Sequence, residues 1–157
     1  MYQIVCKNEP LSVNSASSER KDGYKKEIEN VLKGKYPQLG QESCPYDRSK
    51  NCYFLMAYFY KGRLSRDIDN IIKYTQDAFS KLVFKDDRQV KFCLSEAIPC
   101  DNGATVLDMT NLEDDVAGDL FSFIQGDYDK EHVSVTYIEC GEMNDKFYNI
   151  RLEERWK

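Results

Sequence analysis

The nine residues from Cys52 to Tyr60 constrain the fold of this chain more than any other stretch. Every one of them is apolar or aromatic. A run of this length and composition is typical of a β-strand that is covered on both faces in the middle of a sheet. A strand at a dimer interface would show the same pattern. The run therefore predicts a sheet with a buried centre, around which the other elements pack.

Three further apolar runs predict strands at residues 2–7, 89–97 and 133–140, and helical periodicity predicts three helices. The helices are expected to bury Tyr24, Ile28, Val31 and Leu32; Ile71, Ile72, Thr75, Ala78, Phe79 and Leu82; and Leu112, Val116, Leu120 and Phe123. These elements predict an α/β fold, with a small mixed sheet and packed helices. The 157 residues suit a single domain over 1–157. The periodicity leaves open which strands pair parallel and which antiparallel.

Cysteine usage and hydropathy bear on the class of protein. No charged start precedes an apolar signal core, and no apolar run is long enough to span a membrane, so a cytoplasmic protein is expected. The six cysteines form no CxxC pair and His132 is the one histidine, which argues against a zinc site. Four cysteines lie in predicted strands and are expected to be small core residues: Cys6, Cys52, Cys93 and Cys140.

Residues 66–91 carry the charged groups that point to chemistry. Asp67 and Asp69 precede the second predicted helix, Lys73 lies on it, and Asp86 and Asp87 follow it. We expect the turns at the two ends of this helix to bring the aspartates and the lysine together at one site. Clustered carboxylates repel one another, and a bound cation removes that penalty. Mg²⁺ and Mn²⁺ favour oxygen ligands and can activate water for phosphodiester hydrolysis, while a nearby lysine neutralises the charge that develops.

A purely structural interpretation of the same residues stays open. Asp69 or Asn70 can cap the helix, because a short side-chain oxygen accepts from the free backbone N–H groups there. Asp67 could serve the same purpose, and Asp86 with Asp87 could simply form a turn.

The stretch resembles the RusA-type Holliday-junction resolvases, also called crossover junction endodeoxyribonucleases. The pattern of that family is matched in order by Arg-Asp-Ile-Asp-Asn at 66–70, by Lys73, by Asp77-Ala78 in the helix, and by Asp86-Asp87 before a strand. The family also begins with a strand, a loop, a helix and a second strand, as this chain is predicted to do.

The resemblance implies a function and a set of site residues. The implied activity is that of a metal-dependent, structure-selective DNA endonuclease that acts as a homodimer on branched DNA and resolves four-way junctions with Mg²⁺ or Mn²⁺. The implied metal ligands are Asp67, Asp69 and Asp87, with Asp86 a further candidate, and Lys73 is the implied catalytic lysine.

Positive charges flank this acidic stretch. Residues 1–91 hold 17 Lys and Arg against 12 Asp and Glu, a net charge of +5, although the whole chain carries −5. A basic rim would draw DNA phosphate toward an acidic metal site. The predicted DNA-binding residues are Lys61, Arg63, Arg66, Lys85 and Arg88. Four basic residues of the first helix could likewise contact phosphate or could simply be solvated: Arg20, Lys21, Lys25 and Lys26.

The C-terminal part departs from the family pattern. Residues 92–157 hold 5 Lys and Arg against 15 Asp and Glu, a net charge of −10, and an acidic insertion occupies about 99–130. The insertion could pack on the sheet, extend a dimer contact, repel DNA from one face or bind another protein. An alternative function follows from the last case, in which the chain is a catalytically inactive RusA-like protein that binds a partner through its acidic part.

Overall fold

The computed structural model describes residues 1–7, 9–11, 17–41, 43–64, 67–101, 108–126 and 133–143. Four strands and three helices follow one another along these ranges. In chain order they are β1 (Tyr2–Cys6), α1 (Ser18–Lys35), β2 (Cys52–Tyr60), α2 (Ile68–Phe79), a 3₁₀ turn (Asp87–Gln89), β3 (Val90–Pro99), α3 (Asp114–Gln125) and β4 (Ser134–Glu142). The predicted α/β fold is confirmed. None of the described helices is long and apolar enough to cross a membrane.

The four strands form one mixed sheet in the order β1-β4-β2-β3. β4 pairs antiparallel with both β1 and β2, whereas β2 and β3 are parallel. β2 therefore lies inside the sheet between two partners, which confirms the position predicted from its unbroken apolar run.

The two faces of the sheet carry separate cores because successive side chains of a strand point to opposite faces. Phe54, Met56 and Tyr58 of β2 join the larger core, which α1 and α2 cover. Phe59 joins the smaller core with three buried residues of α3, namely Val116, Leu120 and Phe123. The helix of the acidic insertion thus packs on the sheet, which is one of the roles that the sequence left open.

The parallel pairing of β2 and β3 sets the direction of α2. Cys52 is opposite Val90 at one end of this strand pair, and Tyr60 is opposite Pro99 at the other. The chain leaves β2 at the Tyr60 end and returns through α2 to begin β3 at the Cys52 end. Twelve residues of α-helix span about 18 Å. The segments before and after α2 therefore lie at opposite ends of the sheet.

The cysteines follow the prediction in three of the four strand positions. Cys6, Cys52 and Cys140 are buried, whereas Cys93 is exposed. The prediction for Cys93 is wrong because no position of the edge strand β3 is fully buried, in contrast to β1 at the other edge, where Cys6 is buried. His132 lies outside the described residues.

Candidate active site

Asp67 and Asp69 lie at the start of α2 with exposed side chains. Asp67 is the N-cap residue, with an extended backbone, and its carboxylate makes no capping hydrogen bond. The carboxylate of Asp69 accepts a hydrogen bond from the backbone N–H of Asn70, at 2.9 Å. The N-cap position belongs to Asp67 and not to Asp69 or Asn70, because the helix begins at Ile68, although the Asp69 carboxylate does accept from a first-turn N–H as predicted. The Asp67 carboxylate makes no capping bond, and the Asp69 carboxylate, which uses one oxygen for this bond, keeps its other oxygen for a ligand.

The buried face of α2 determines which of its residues point outward. Ile71, Thr75, Ala78 and Phe79 are buried. The Thr75 hydroxyl donates to the carbonyl of Ile71 at 3.1 Å and lies 3.2 Å from the hydroxyl of Tyr24 on α1. This anchoring holds the opposite side of the helix toward solvent, and that side carries the remaining charged groups of the stretch.

Lys73 and Asp77 are neighbours on the outward side of α2. The ammonium of Lys73 lies 3.9 Å from the carboxylate of Asp77, and 67% of the Lys73 side chain is exposed. Burial raises the pKa of Asp77; Lys73 and Lys25 oppose this shift, while the negative charge of Asp87 adds to it. Asp77 therefore lies within electrostatic reach of both Lys73 and Asp87. Asp77 is absent from the predicted site, although its spacing of four residues from Lys73 was a usable signal.

The turn that carries Asp86 and Asp87 is held by Gln89, a residue with 5% exposure. The side-chain oxygen of Gln89 accepts from the backbone N–H groups of Lys85 and Asp86, at 2.9 and 3.0 Å. Asp86 accepts from the backbone N–H of Arg88 at 2.9 Å and caps the 3₁₀ turn. Asp87 itself is exposed. Asp86 therefore stabilises the turn, whereas the side chain of Asp87 is exposed to solvent and can bind a ligand.

The acidic residues at the two ends of α2 do not meet within one chain. Asp67 and Asp69 lie at the end of the sheet where β2 stops, and Asp87 lies at the end where β3 starts. Within the described ranges, no three carboxylate, thiol or imidazole groups lie close enough together to hold a metal ion. The expectation that all these residues share one site is therefore wrong for the single chain. The parallel crossover places the start of α2 at one end of the sheet and Asp87 at the other.

The predicted DNA-binding residues take up different positions. Arg63, Lys85 and Arg88 are exposed. Arg88 borders a cleft of about 310 Å³ together with Arg48 and Lys91. Lys61 instead places its ammonium 4.7 Å from the ring centroid of Phe123, on the side of the sheet that α3 covers. Arg66 lies outside the described residues.

The model of one protein family, the endodeoxyribonuclease RusA family, matches residues 8–110 of the 157. The chain belongs to the RusA family. The match contains α1, β2, α2 and β3, with both pairs of aspartates and Lys73, and it ends before α3. Membership makes the chain an endodeoxyribonuclease homologue, of a family whose general activity is the resolution of Holliday junctions. A comparison with curated proteins gives no match.

The oxygen donors of this RusA-family chain suit the divalent metal on which its family generally depends. Mg²⁺ takes hard oxygen ligands, and it is usually held by one or two carboxylates together with phosphate oxygens and water. Asp67 and Asp69 provide two carboxylates at the first end of α2. Asp87, with Asp77 nearby, provides a second group at the other end. Either group has the right chemistry, and neither alone is a closed metal cage.

Proposed function

We propose that this RusA-family protein is a Mg²⁺- or Mn²⁺-dependent endonuclease that cuts four-way DNA junctions by phosphodiester hydrolysis. Asp67, Asp69 and Asp87 would hold the metal, and Lys73 would act at the scissile phosphate. The observation that carries the proposal is at the start of α2. There, two exposed carboxylates, one of them without a capping bond, precede an exposed lysine on the same helix by six and four residues. These residues fall within the segment that the family model matches.

The separation of the two acidic groups supports a homodimer with composite sites. Because about 18 Å of helix lies between Asp69 and Asp87, one chain cannot bring them to the same ion. A two-fold dimer presents the same patch of each chain to the other, so the Asp67–Asp69 end of one protomer can meet the Asp87 end of its partner. Such a dimer has two equivalent sites, as the two equivalent scissile strands of a junction require.

Each residue has a chemical task in this proposal. The metal, when bound, activates water and stabilises charge on the phosphate. The Lys73 ammonium neutralises charge on the oxygen that leaves, and Asp77, 3.9 Å away, limits where that ammonium can go. Arg63, Lys85 and Arg88, with Arg66, attract the DNA backbone through phosphate contacts that are independent of sequence. Lys61 is the weakest member of the predicted set, because its ammonium already contacts Phe123.

The test uses Asp69→Asn and Asp87→Asn on a labelled four-way junction with Mg²⁺, Mn²⁺ or EDTA. Each variant alone should cut at least roughly a hundredfold more slowly than the wild type, because loss of a metal ligand removes several kcal/mol of transition-state stabilisation. Glu19→Gln is the matched control, since Glu19 is an acid in the first turn of α1. Undiminished cutting by Asp69→Asn would contradict the site assignment.

Mixing the two variants tests the composite site. In a mixed dimer, one composite site would carry both substitutions, and the other would keep both native aspartates. Mixing should therefore restore single nicks without restoring paired nicks. If each site lies within one chain, both sites of the mixed dimer carry a substitution and the mixture stays inactive. Sedimentation of each variant at micromolar concentration verifies that dimers form, and a monomer would count against the proposal.

A further inference from the structure

A cleft of about 330 Å³ lies between α1 and the second half of α2, away from the Asp67–Asp69 end. We call it the α1–α2 cleft. Its walls carry three lysines, one aromatic ring and two carboxylates, from Lys21, Lys25, Lys81, Tyr74, Asp22 and Asp77. The sequence left open whether Lys21 and Lys25 contact phosphate or are simply solvated, and the cleft now places both of them beside Lys81 on one surface.

Lys21 and Lys25 are one turn apart on α1 and are half-buried against the cleft. The Lys21 ammonium lies 5.2 Å from the ring centroid of Tyr74 on α2. An ammonium over an aromatic face is attracted by the ring quadrupole, so this contact holds the charge at the cleft wall. Lys25 has a longer ion pair, at 4.0 Å from Glu29. The α1 wall therefore presents two cations at a fixed helical spacing.

Lys81 enters the cleft from a backbone conformation that suits glycine better than lysine. Its φ is +69°, and it is the one non-glycine with positive φ among the described residues. For a residue with a Cβ this conformation costs stability. Lys81 is the third residue of the turn from Phe79 to Leu82, in which the Leu82 N–H donates to the Phe79 carbonyl at 3.2 Å, and glycine is the usual residue at that position. Lys81 is exposed, and no carboxylate within the described ranges forms an ion pair with it. The Lys81 side chain thus adds a positive charge to the cleft, while its backbone conformation lowers the stability of the fold.

The cleft leads toward the proposed cutting site. Asp77 lies in its wall and contacts Lys73, and Asp77 is also within the electrostatic reach of Asp87. The three cleft lysines outnumber Asp22 and Asp77, and Lys73, which lies 3.9 Å from Asp77, adds a fourth cation beside the cleft wall. A polyanion in the cleft would therefore approach Asp87 along a path of positive charge.

We propose that the α1–α2 cleft binds the sugar-phosphate backbone of the DNA arm that leads to the cut strand. The proposal rests on the proposed function in taking DNA as the ligand and Asp87 as part of the cutting site. Lysines that neutralise phosphates release condensed counterions, which gives affinity and a strong dependence on salt. Contacts of this kind position the duplex and carry no sequence information. The cleft would thus hold an arm without choosing its sequence.

The test compares two double variants that remove the same charge from the same helix. Lys21→Gln with Lys25→Gln removes the two α1 lysines of the cleft, and Lys26→Gln with Lys33→Gln removes two exposed lysines of α1 outside it. Lys26 was also a possible phosphate contact by sequence, so the comparison separates the cleft from the rest of the basic helix. The control is matched in one further respect, because Lys25 and Lys33 both pair with Glu29, at 4.0 and 3.8 Å. Binding to a fluorescent four-way junction and to a linear duplex is measured by anisotropy in EDTA between about 50 and 200 mM KCl.

The cleft variant should lose about tenfold in affinity for both DNAs, and its slope of log affinity against log salt should fall by about two. The control variant should bind within about threefold of the wild type. Equal losses in the two double variants would overturn the proposal, since they would show only the effect of net charge.

Lys81→Gly separates binding from folding. Glycine relieves the positive φ, so the denaturation midpoint should stay the same or rise, while DNA affinity falls. Unchanged affinity in this variant would also overturn the proposal. Because these measurements contain no cutting step, they are independent of the metal site. Suppose that Asp69→Asn cuts junctions normally while the cleft variants lose DNA affinity. The proposed catalytic residues are then rejected, and the proposal for the cleft stands.

Discussion

At the scale of single residues, Gln89 is the side chain on which the position of Asp87 most depends. Its oxygen accepts from two backbone N–H groups, and its nitrogen contacts the carbonyls of Tyr46, Asp47 and Lys50. One buried amide thus ties the loop before β2 to the turn before β3. A hydrocarbon of similar size would leave the carbonyl of Tyr46 buried without this partner and the other, partly buried, backbone groups without theirs.

Gln89→Leu should lower the free energy of unfolding by about 2–4 kcal/mol, because several buried polar groups lose their hydrogen bonds. Urea denaturation measures this change. The variant should also cut junctions more slowly at temperatures where it is folded, since Asp87 would no longer be held in place. Gln38→Leu is the control, because Gln38 is exposed; its effect should stay within about 0.5 kcal/mol. An unfolding midpoint equal to that of the wild type would show that the Gln89 contacts are dispensable.

At the scale of secondary structure, the starts of α1 and α2 are built differently. Ser17 caps α1 by accepting from the backbone N–H of Arg20, at 3.4 Å. Asp67 occupies the same position before α2 and makes no such bond. Aspartate is well suited to capping, and Asp67 nevertheless does not cap. This is consistent with a role of its carboxylate in binding another ligand.

Asp67→Ser should therefore remove cutting activity while leaving the stability of the fold nearly unchanged. Serine can supply the missing cap hydrogen bond, which offsets the favourable interaction of an acid with the helix dipole. Ser17→Ala should show the reverse pattern, with a loss of about 0.5–1 kcal/mol in stability and normal cutting. Thermal denaturation and the junction assay, run on both variants, check the pair. A large loss of stability in Asp67→Ser would assign Asp67 a structural role instead.

At the scale of the whole molecule, the acidic helix α3 is attached to α1 as well as to the sheet. The Lys35 ammonium lies 2.7 Å from Asp115 and 2.9 Å from Glu113, and only 18% of its side chain is exposed. The hydrogen bond from Lys35 is the main cause that lowers the pKa values of Glu113 and Asp115. Two of the negative charges of the insertion thus hold the start of α3 against the end of α1.

These ion pairs should make stability depend on pH below about 4. A carboxylate with a lowered pKa in the folded state stabilises the protein above its unfolded pKa, roughly 3.9–4.3, and loses that contribution as the pH falls through the folded value. Lys35→Gln should lower Tm by about 1–4 °C at pH 7, since both carboxylates are partly exposed and their pairs are screened. The Tm difference between wild type and variant should shrink toward pH 3. A difference that stays constant from pH 7 to pH 3 would rule out these pairs as its source.

The central strand, the helices and the candidate catalytic residues were all predictable from the sequence. The unbroken apolar run of β2 predicts a strand between two partners, and the spacing of Ile71, Thr75 and Phe79 predicts the buried face of α2. The order of aspartates around Lys73 predicts the family, which the match over residues 8–110 confirms. These features are local, because side-chain periodicity and motif order need only neighbouring residues.

Tertiary structure decided the arrangement that matters most for the site. Whether β2 and β3 run parallel depends on contacts between distant parts of the chain, and the apolar pattern of a buried strand is the same in either direction. Parallel pairing places Asp69 and Asp87 at opposite ends of the β2–β3 strand pair. The order of the strands puts Cys93 on an edge strand, and the turn before β3 brings Asp87 within electrostatic reach of Asp77. The sequence by itself determined which residues are the candidates for the chemistry. Only the fold determined that they lie too far apart to form one site within a single chain, because a helix about 18 Å long separates them.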